Sequence, residues 1–457
     1  MPYPEIIPNS VAPFWPLLMK EVRELLAGRA FWATLMIVIL LTGYSYIQAV
    51  NLYTEASRSA LKFPELSRGI SPLDGILVPT LGSLYLAVTF LFPFIVIRTV
   101  GAEKQSGALK MLVQMPYSIP SLVAAKLAAA TCAWLAMLLP SLLAMAFWQG
   151  AGGHLAGAEV TNLVLGHFLY ASVIVAISLL AAALAESPAS AAIAAVSVTF
   201  GFWVLDFAAA GNNGLLKSLA GLSLTTVLRG FERGIFSLSA VAGSLVAAIG
   251  LALVAGIWLH PGRSTGSRFV RSTVALVMTV VAILAISQAN LFRDATEDRR
   301  NSFSRTDESV LRTAQGRLTI EVFLAAEDPR LYDLERSILG KLKRAMPDVT
   351  IIYADVGMDK VLAGADDQYG QVVYRHEDRQ AMSRSTSEEE VLPIVFEIMG
   401  LNRLPPDEST VYPGYPLVAG TRWAKTAFYI LLPLTVLLLW LITQDPFRIL
   451  RKIGDNS

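Results

Sequence analysis

Long apolar segments separated by short polar ones dominate the pattern of this chain. A helix needs roughly 20 apolar residues to cross a bilayer core of about 30 Å, because backbone amides that face lipid cannot be left unpaired. This criterion predicts eight membrane spans: residues 29–50, 78–97, 122–148, 163–184, 189–207, 240–259, 272–289 and 426–442. Residues 185–188 alone separate the fourth span from the fifth, which predicts a tight hairpin.

An amphipathic segment precedes the first span. Its apolar positions, which recur at helical spacing, are Phe14, Trp15, Leu18, Val22, Leu25 and Leu26, and the positions between them are Lys20, Glu21, Arg23 and Glu24. This pattern is typical of a helix that lies in the headgroup region of a membrane, where aromatic side chains anchor it. Gly28 is the predicted end of this helix. A simple membrane-surface anchor is the alternative role.

The segment between the seventh and eighth spans has the pattern of a folded α/β module. Residues 318–324 alternate apolar and polar positions, as a half-buried strand does. Asp328 followed by Pro329 predicts the start of a helix with an apolar stripe, and Pro347 ends it. Further strands are predicted at residues 349–354 and 370–374. Ser387 and Glu390 form a capping box ahead of a last helix, which ends at Met399.

Composition and charge agree with a polytopic α-helical membrane protein that carries a small α/β domain between its last two spans. Of 457 residues, 54% are hydrophobic and 16% are charged, which is too apolar for an ordinary soluble protein. The formal net charge of +1 gives no reason to expect a nucleic-acid partner.

Basic residues at the span ends predict the orientation, because short loops rich in Lys and Arg stay cytoplasmic. Four clusters fall on one side: Lys20, Arg23 and Arg29; Arg98, Lys104 and Lys110; Arg263, Arg268 and Arg271; Arg448, Arg451 and Lys452. Both termini are therefore expected in the cytoplasm and the α/β domain outside it. A bacterial inner membrane is the expected location.

Motifs for nucleotide binding, zinc-dependent proteolysis and dithiol chemistry do not occur in the chain. It lacks GxxxxGK[ST], HExxH and CxxC, and its single cysteine, Cys132, lies in an apolar run. Its histidines have no metal-ligand spacing, so we expect them to be interfacial or surface residues: His154, His167, His260 and His376. No cofactor is expected on this chain, and any ATP would be bound by another one.

Residues 98–126 form the most informative loop, which follows the second span. A charged cluster, a glycine, a leucine-rich short segment and a proline lead into a lysine of the third span. The matching residues are Glu103, Lys104, Gly107, Leu109, Leu112, Pro116, Ser118 and Lys126. This loop resembles the corresponding loop of type-2 ABC exporter permeases. The breakers Gly107 and Pro116 suit a short rigid helix between them. An ordinary connecting loop is the alternative.

The resemblance implies a coupling helix that rests on a separate ATPase subunit. The implied contact residues are Arg98, Glu103, Lys104, Gly107, Leu109, Leu112 and Pro116. It also implies that ATP and Mg²⁺ bind to two copies of that ATPase, that the permease pairs with a second permease copy, and that the chain contacts membrane lipid.

Two further resemblances divide the chain. Residues 222–241 resemble the outer segment before the last core helix of such permeases, and residues 294–304 resemble the start of the auxiliary component of gliding-motility-type ABC systems. The implied division is an interfacial helix, a six-span permease core, a linker with the seventh span, an extracytoplasmic α/β domain, and the eighth span with a basic tail. Its boundaries are 1–28, 29–260, 261–290, 291–422 and 423–457.

Three functions are compatible with these patterns. The first is the membrane subunit of an ATP-driven exporter, or of a machine that extracts a substrate from the membrane. The second is a mechanotransmission device, in which the outer domain controls an envelope or motility machine without transport. The third is a permease for maturation of a secreted metalloenzyme, for which no residue indicates copper or sulfur chemistry.

Overall fold

The computed structural model describes residues 14–115, 117–209, 223–260, 262–289, 291–325, 328–346, 348–354, 368–403 and 412–444. The helices up to the α/β domain are α1 (Phe14–Ala27), α2 (Arg29–Lys62), α3 (Leu73–Ser106), α4 (Ala108–Gln114), α5 (Ile119–Gly150), α6 (Gly157–Leu184), α7 (Pro188–Ala209), α8 (Leu224–Glu232), α9 (Leu238–Leu259) and α10 (Thr265–Ser287). The short strand β1 (Ile235–Ser237) lies between α8 and α9.

The α/β domain and the last span complete the chain. Their elements are β2 (Phe292–Asp294), α11 (Arg305–Leu311), β3 (Leu318–Val322), α12 (residues 329–345), β4 (Val349–Tyr353), β5 (Val372–His376), β6 (Arg379–Ser383), α13 (Glu388–Ile398) and α14 (Arg422–Thr443).

Within the described residues, eight helices are long and apolar enough to cross a membrane, as predicted: α2, α3, α5, α6, α7, α9, α10 and α14. The chain is therefore a polytopic helical protein. Successive spans alternate in direction, so α1, α4 and the α6–α7 hairpin share one end of the bundle, named here the α4 end. The α/β domain lies at the other end, named the domain end.

Helix α2 is longer than the predicted first span. It continues beyond Val50 to Lys62, although the apolar run has already ended at Val50. At 1.5 Å per residue its 34 residues extend over about 51 Å, well beyond the apolar core of a bilayer. The last turns of α2 therefore project at the domain end.

Helix α1 confirms the predicted amphipathic segment, and Gly28 separates it from α2. Leu17 and Leu25 are buried, whereas Trp15 is 63% exposed. Glu21 differs from the prediction, because it lies on the expected polar side and yet is fully buried. A partner for its carboxylate must therefore be supplied by the rest of the bundle.

The α/β domain contains a four-stranded sheet in the order β4-β3-β5-β6. Strands β3 and β4 are parallel and are joined through α12, while β5 pairs antiparallel with both β3 and β6. The predicted alternation is observed in β3, where Leu318, Ile320 and Val322 are buried. Strand β6 was not predicted, because its sequence, RQAMS, has no apolar alternation.

This domain has a hydrophobic core of its own, separate from the core of the membrane spans. Side chains of β3, α12, β5 and α13 meet there: Ile320, Ile338, Leu342, Tyr374, Val395 and Phe396. Ser387 caps α13 as predicted, although its hydroxyl accepts from the amide of Glu389 and not from that of Glu390.

Asp328 caps α12, as the sequence predicts, and its environment makes that cap sensitive to pH. The carboxylate accepts hydrogen bonds from Arg330, whose backbone nitrogen lies 2.9 Å away, and from the Tyr369 hydroxyl at 2.6 Å. The bonds from Arg330, with that from Tyr369, hold the pKa of Asp328 well below its usual range. A carboxyl with a lowered pKa stabilises the fold above its unfolded pKa and loses that contribution as the pH falls.

We therefore expect hydrogen exchange of the first α12 amides, corrected for intrinsic rates, to accelerate as the pH falls below about 4. Asp328→Asn should remove this pH dependence and weaken the helix start by about 1 kcal/mol at neutral pH. Asp333→Asn, at an exposed position of the same helix, is the control and should behave as the wild type. An unchanged pH profile in Asp328→Asn would contradict this role.

Candidate coupling site

Helix α4 is the short helix predicted after the second span. Gly107 links it to α3 with a φ of 76°, a left-handed conformation that glycine adopts without strain. The helix runs from Ala108 to Gln114. Pro116, the second predicted breaker, lies outside the described residues.

The two faces of α4 differ in what they contact. Leu109 packs on Leu17 of α1 and on Leu122 and Ala125 of α5, so it faces this chain. Leu112 is half-buried. Met111, by contrast, is 65% exposed, and Met115 just beyond the helix is 48% exposed. Met111 is thus the exposed apolar residue among the described side chains of α4, and sequence reasoning missed it.

A buried cluster of charges lies directly behind α4. The Lys126 ammonium on α5 lies 2.9 Å from Glu21 Oε2 and 2.8 Å from Glu103 Oε2. The side chains of Lys126, Glu21 and Glu103 are 1%, 0% and 5% exposed. Lys126 also donates to the backbone oxygen of Thr99. These contacts join α1, α3 and α5 at one buried point.

Lys20 and Glu24 lie at the more open side of this cluster. Lys20 pairs with Glu103 and, at 3.1 Å and 3.3 Å, with Glu21 and Glu24. Burial alone would lower the pKa of Lys20, but its hydrogen bond to Glu103 and the two buried carboxylates outweigh burial and raise it. Burial raises the pKa of Glu21, against the opposing effect of Lys126. The cluster is therefore held together by mutual pairing of charges that burial disfavours.

Three carboxylates of this cluster also satisfy the spacing of a cation site. Oxygen atoms of Glu21, Glu24 and Glu103 lie within 4.8 Å of one another. Two ammonium groups, those of Lys20 and Lys126, already contact them. We interpret the arrangement as an ion-pair network and not as a metal centre.

Lys104, one turn from the end of α3, binds the end of another helix. Its ammonium donates to the backbone oxygens of Ala182, Ala183 and Ala185, at 2.6, 2.6 and 3.0 Å. Carbonyls at the end of a helix lack partners and carry partial negative charge, so a cation there satisfies both needs. Lys104 thereby fixes the α6–α7 hairpin to α3.

The structure brings some of the predicted contact residues together and separates others. Glu103 and Lys104 both use their charges inside this chain, and Leu109 packs on it. Arg98 is exposed near the α1–α2 link, where its Nη1 would lie 3.7 Å from a Cβ on Gly28. The predicted contact residues therefore fall into two groups. Glu103, Lys104 and Leu109 make contacts inside this chain, whereas Arg98 is exposed. Because α4 follows α3 directly and packs on α1 and α5 through Leu109, a push on it reaches three helices, and Lys104 connects α3 to the end of α6.

The domain end is also tied to the spans. Strand β2 pairs antiparallel with β1, just before α9. Glu297 Oε2 lies 2.7 Å from His154 Nε2, and its amide donates to Glu159 Oε1 over 2.9 Å. The Tyr415 hydroxyl donates to the other Glu297 oxygen over 2.6 Å. His154 is therefore an interfacial residue, as expected.

The segment that returns from the α/β domain to α14 lies along the end of α2. Tyr53 of α2 donates to the Tyr415 oxygen over 2.7 Å, and the amide of Leu417 donates to the Ser57 hydroxyl over 3.0 Å. Gly414 has a φ of 71°, and a Cβ there would lie 1.7 Å from the Ser67 oxygen, so a larger residue does not fit. Both ends of the α/β domain thus contact the membrane spans.

His167 does not follow the expectation for the histidines. It is 2% exposed inside α6, and its Nε2 lies 3.7 Å from Glu232 Oε1. His167 lies one helical turn beyond Leu163, on the face of α6 that packs against the bundle. The spacing between histidines in the sequence therefore could not predict that His167 is buried.

Comparison with known proteins does not assign the chain to a family: no family model matches it, and no curated protein shows significant similarity to it. A functional assignment therefore rests on the residues of this chain and on their geometry.

Proposed function

We propose that this chain is the membrane subunit of an ATP-driven exporter of the type-2 class, driven by a separate ATPase. The observation that supports this function is the construction of α4. It is a short helix with an exposed apolar side chain, held from behind by a buried ion-pair network and by a lysine that caps the neighbouring span. Such a helix can pass a force to the spans, because its neighbours α1, α3 and α5 are joined to one another by the ion-pair network.

The proposed ATPase contact is the exposed face of α4. Met111 provides the apolar centre, since methionine side chains adapt to a partner surface. Lys110 and Gln114 are exposed beside it and supply polar contacts. Glu103, Lys104 and Leu109 act behind this face, as anchors of α4. ATP and Mg²⁺ bind to the ATPase, and two permease copies face two ATPase copies.

The test is the association of the full chain with the ABC ATPase encoded beside it. Met111→Asp places a charge at the centre of the proposed contact, and we expect association about thirtyfold weaker, the loss of a typical interface hot spot. The measurements are the dissociation constant of the purified pair and the ATPase rate that the permease stimulates.

Met382→Asp is the matched control. Met382 is 64% exposed, almost the same as Met111, but it lies on β6 of the α/β domain. Equal association of the two variants would overturn the proposed contact surface. The absence of an ABC ATPase beside the gene, with no ATPase bound to the purified chain, would overturn the function.

A mechanotransmission complex is the second candidate, and the domain end favours it. The hydrogen bonds of Glu297 and Tyr415 connect the α/β domain to α2 and α6. A movement of the spans would therefore reach a folded domain that has a core of its own. In that case the output is a change in the position of the domain and no substrate crosses the membrane.

A further inference from the structure

A cavity with basic walls lies where the α/β domain meets the spans. Its volume is about 710 Å³, and it is bounded by the start of α9, the segment after α10 and the last turns of α12. Arg312, Lys343 and Arg344 line it, and no carboxylate does so among the described residues. These three residues are named here the junction basic pocket. An excess of positive charge over the carboxylates around it attracts an anion.

Arg344 is the most constrained of the three. Its Nη2 donates to the Asn301 oxygen over 2.6 Å, and its guanidinium lies 5.5 Å from the centre of the Phe292 ring. Its Nε is buried and has no hydrogen-bond partner among the described residues. A buried donor without an acceptor costs free energy, and an anion beside the same guanidinium would offset part of that cost electrostatically.

The nearby carboxylates already bind other groups. Asp294 accepts from Thr296 and from the amide of Asn301. Glu308 pairs with Arg299 at 3.3 Å and only at 4.0 Å with Arg312, whose side chain is 66% exposed. Neither carboxylate therefore neutralises the junction basic pocket by direct contact.

Because Gly340 has no side chain, the Arg344 side chain can occupy the space beside it. A Cβ at this position would lie 3.2 Å from Arg344 Nη1 and 2.9 Å from the Glu335 oxygen. A second cavity, of about 350 Å³, shares Gly340, Lys343 and Arg344 with the first and adds Arg233, Arg336 and one carboxylate, that of Glu335. Basic residues therefore outnumber carboxylates in both cavities.

The apolar walls indicate where the ligand comes from. Ile235, Ala289 and Leu291 line the larger cavity beside its basic residues. Spans α9 and α10 lead away from this cavity. Only 28% and 6% of the residues in the most apolar stretch of α9 and of α10, respectively, are buried by the rest of the protein. Arginine and lysine above an exposed apolar helix surface match a molecule with an anionic head and an acyl tail.

We propose that the junction basic pocket binds the anionic headgroup of a phospholipid from the leaflet at the domain end, with its acyl chains along α9 and α10. The bound lipid places an anion beside the Arg344 guanidinium and joins the α/β domain to the membrane. This site does not depend on whether the chain exports a substrate.

The test uses the purified full chain and phosphatidylglycerol, with lipid binding measured by native mass spectrometry during a lipid titration. Arg312→Gln/Lys343→Gln removes two charges and keeps the Arg344–Asn301 contact, so the fold is preserved. We expect affinity to fall about fivefold for each charge removed. Arg344→Gln is the second variant, and it should lose at least as much affinity as one of these charges.

Lys62→Gln is the control, because Lys62 is an exposed lysine at the domain end of α2, and it should bind as the wild type. Phosphatidylcholine should bind weakly to every variant. Equal phosphatidylglycerol binding by the wild type and the double variant would overturn the site. Displacement of the lipid by millimolar inorganic phosphate would overturn the lipid as its ligand and leave a free anion in its place.

Discussion

Lys126→Met is expected to destabilise the chain by about 3–5 kcal/mol, because it leaves two buried carboxylates with Lys20 as their remaining partner. Glu21 and Glu103 are almost inaccessible to water, so solvent cannot replace the lost ammonium. The expected structural result is detachment of α1 from α3 and α5. Denaturant titration in detergent micelles, followed by tryptophan fluorescence, measures the stability. Trypsin cleavage after Arg23 measures the release of α1.

Two variants separate charge pairing from packing at this position. Lys62→Met changes an exposed lysine of α2 and should alter stability by about 0.5 kcal/mol or less. Lys126→Met/Glu21→Gln removes one unpaired carboxylate and should recover at least half of the loss, since Lys20 still pairs with Glu103. If Lys126→Met unfolds like Lys62→Met, the cluster does not hold α1 in place.

Replacing residues 305–403 by a Gly-Ser linker of about eight residues should leave export within about tenfold of the wild type. The physical reason is that this segment carries the core of the α/β domain, which is separate from the core of the spans. The replacement keeps β2, Glu297 and Tyr415, and therefore keeps the contacts that the domain ends make with α2 and α6. The measurements are the stimulated ATPase rate and the downstream output in cells.

The two candidate functions differ most in this experiment. A mechanotransmission complex would lose its entire output while its ATPase still turned over. An exporter would keep both activities. A variant that lost ATPase stimulation as well would show that the domain stabilises the spans, and this would contradict the independence of the two cores. Glu297→Gln, which keeps the domain and weakens one of its attachments, is the matched comparison.

The spans and most of the α/β domain could be predicted because their patterns are local. A run of apolar residues is visible whatever surrounds it, and so is the alternation in β3 or the cap at Asp328. The end of α2 could not be predicted in this way. Its last three turns carry no continuous apolar run, and the contacts that they make with the segment at Tyr415 join positions about 360 residues apart in the chain.

The position of α4 after the second span could be predicted, but the contacts of the residues around it could not. Glu103, Lys104 and Lys126 stand out in sequence because charges beside an apolar span are unusual. Whether such a charge faces a partner or a buried counterion depends on α1, which lies about 80 residues earlier in the chain. The exposure of Met111 depends in the same way on the burial of Leu109 against α1 and α5.

The length of α2 has a mechanical consequence. A tilt of about 5° around its inner end would displace the outer end of a 51 Å rod by about 4 Å. That displacement exceeds the length of the hydrogen bonds that join Tyr53 and Ser57 to the returning segment, so this segment must either move with α2 or lose these hydrogen bonds. Small angular changes near α1 are thereby magnified into movements as large as an atom's diameter on the far side of the bilayer.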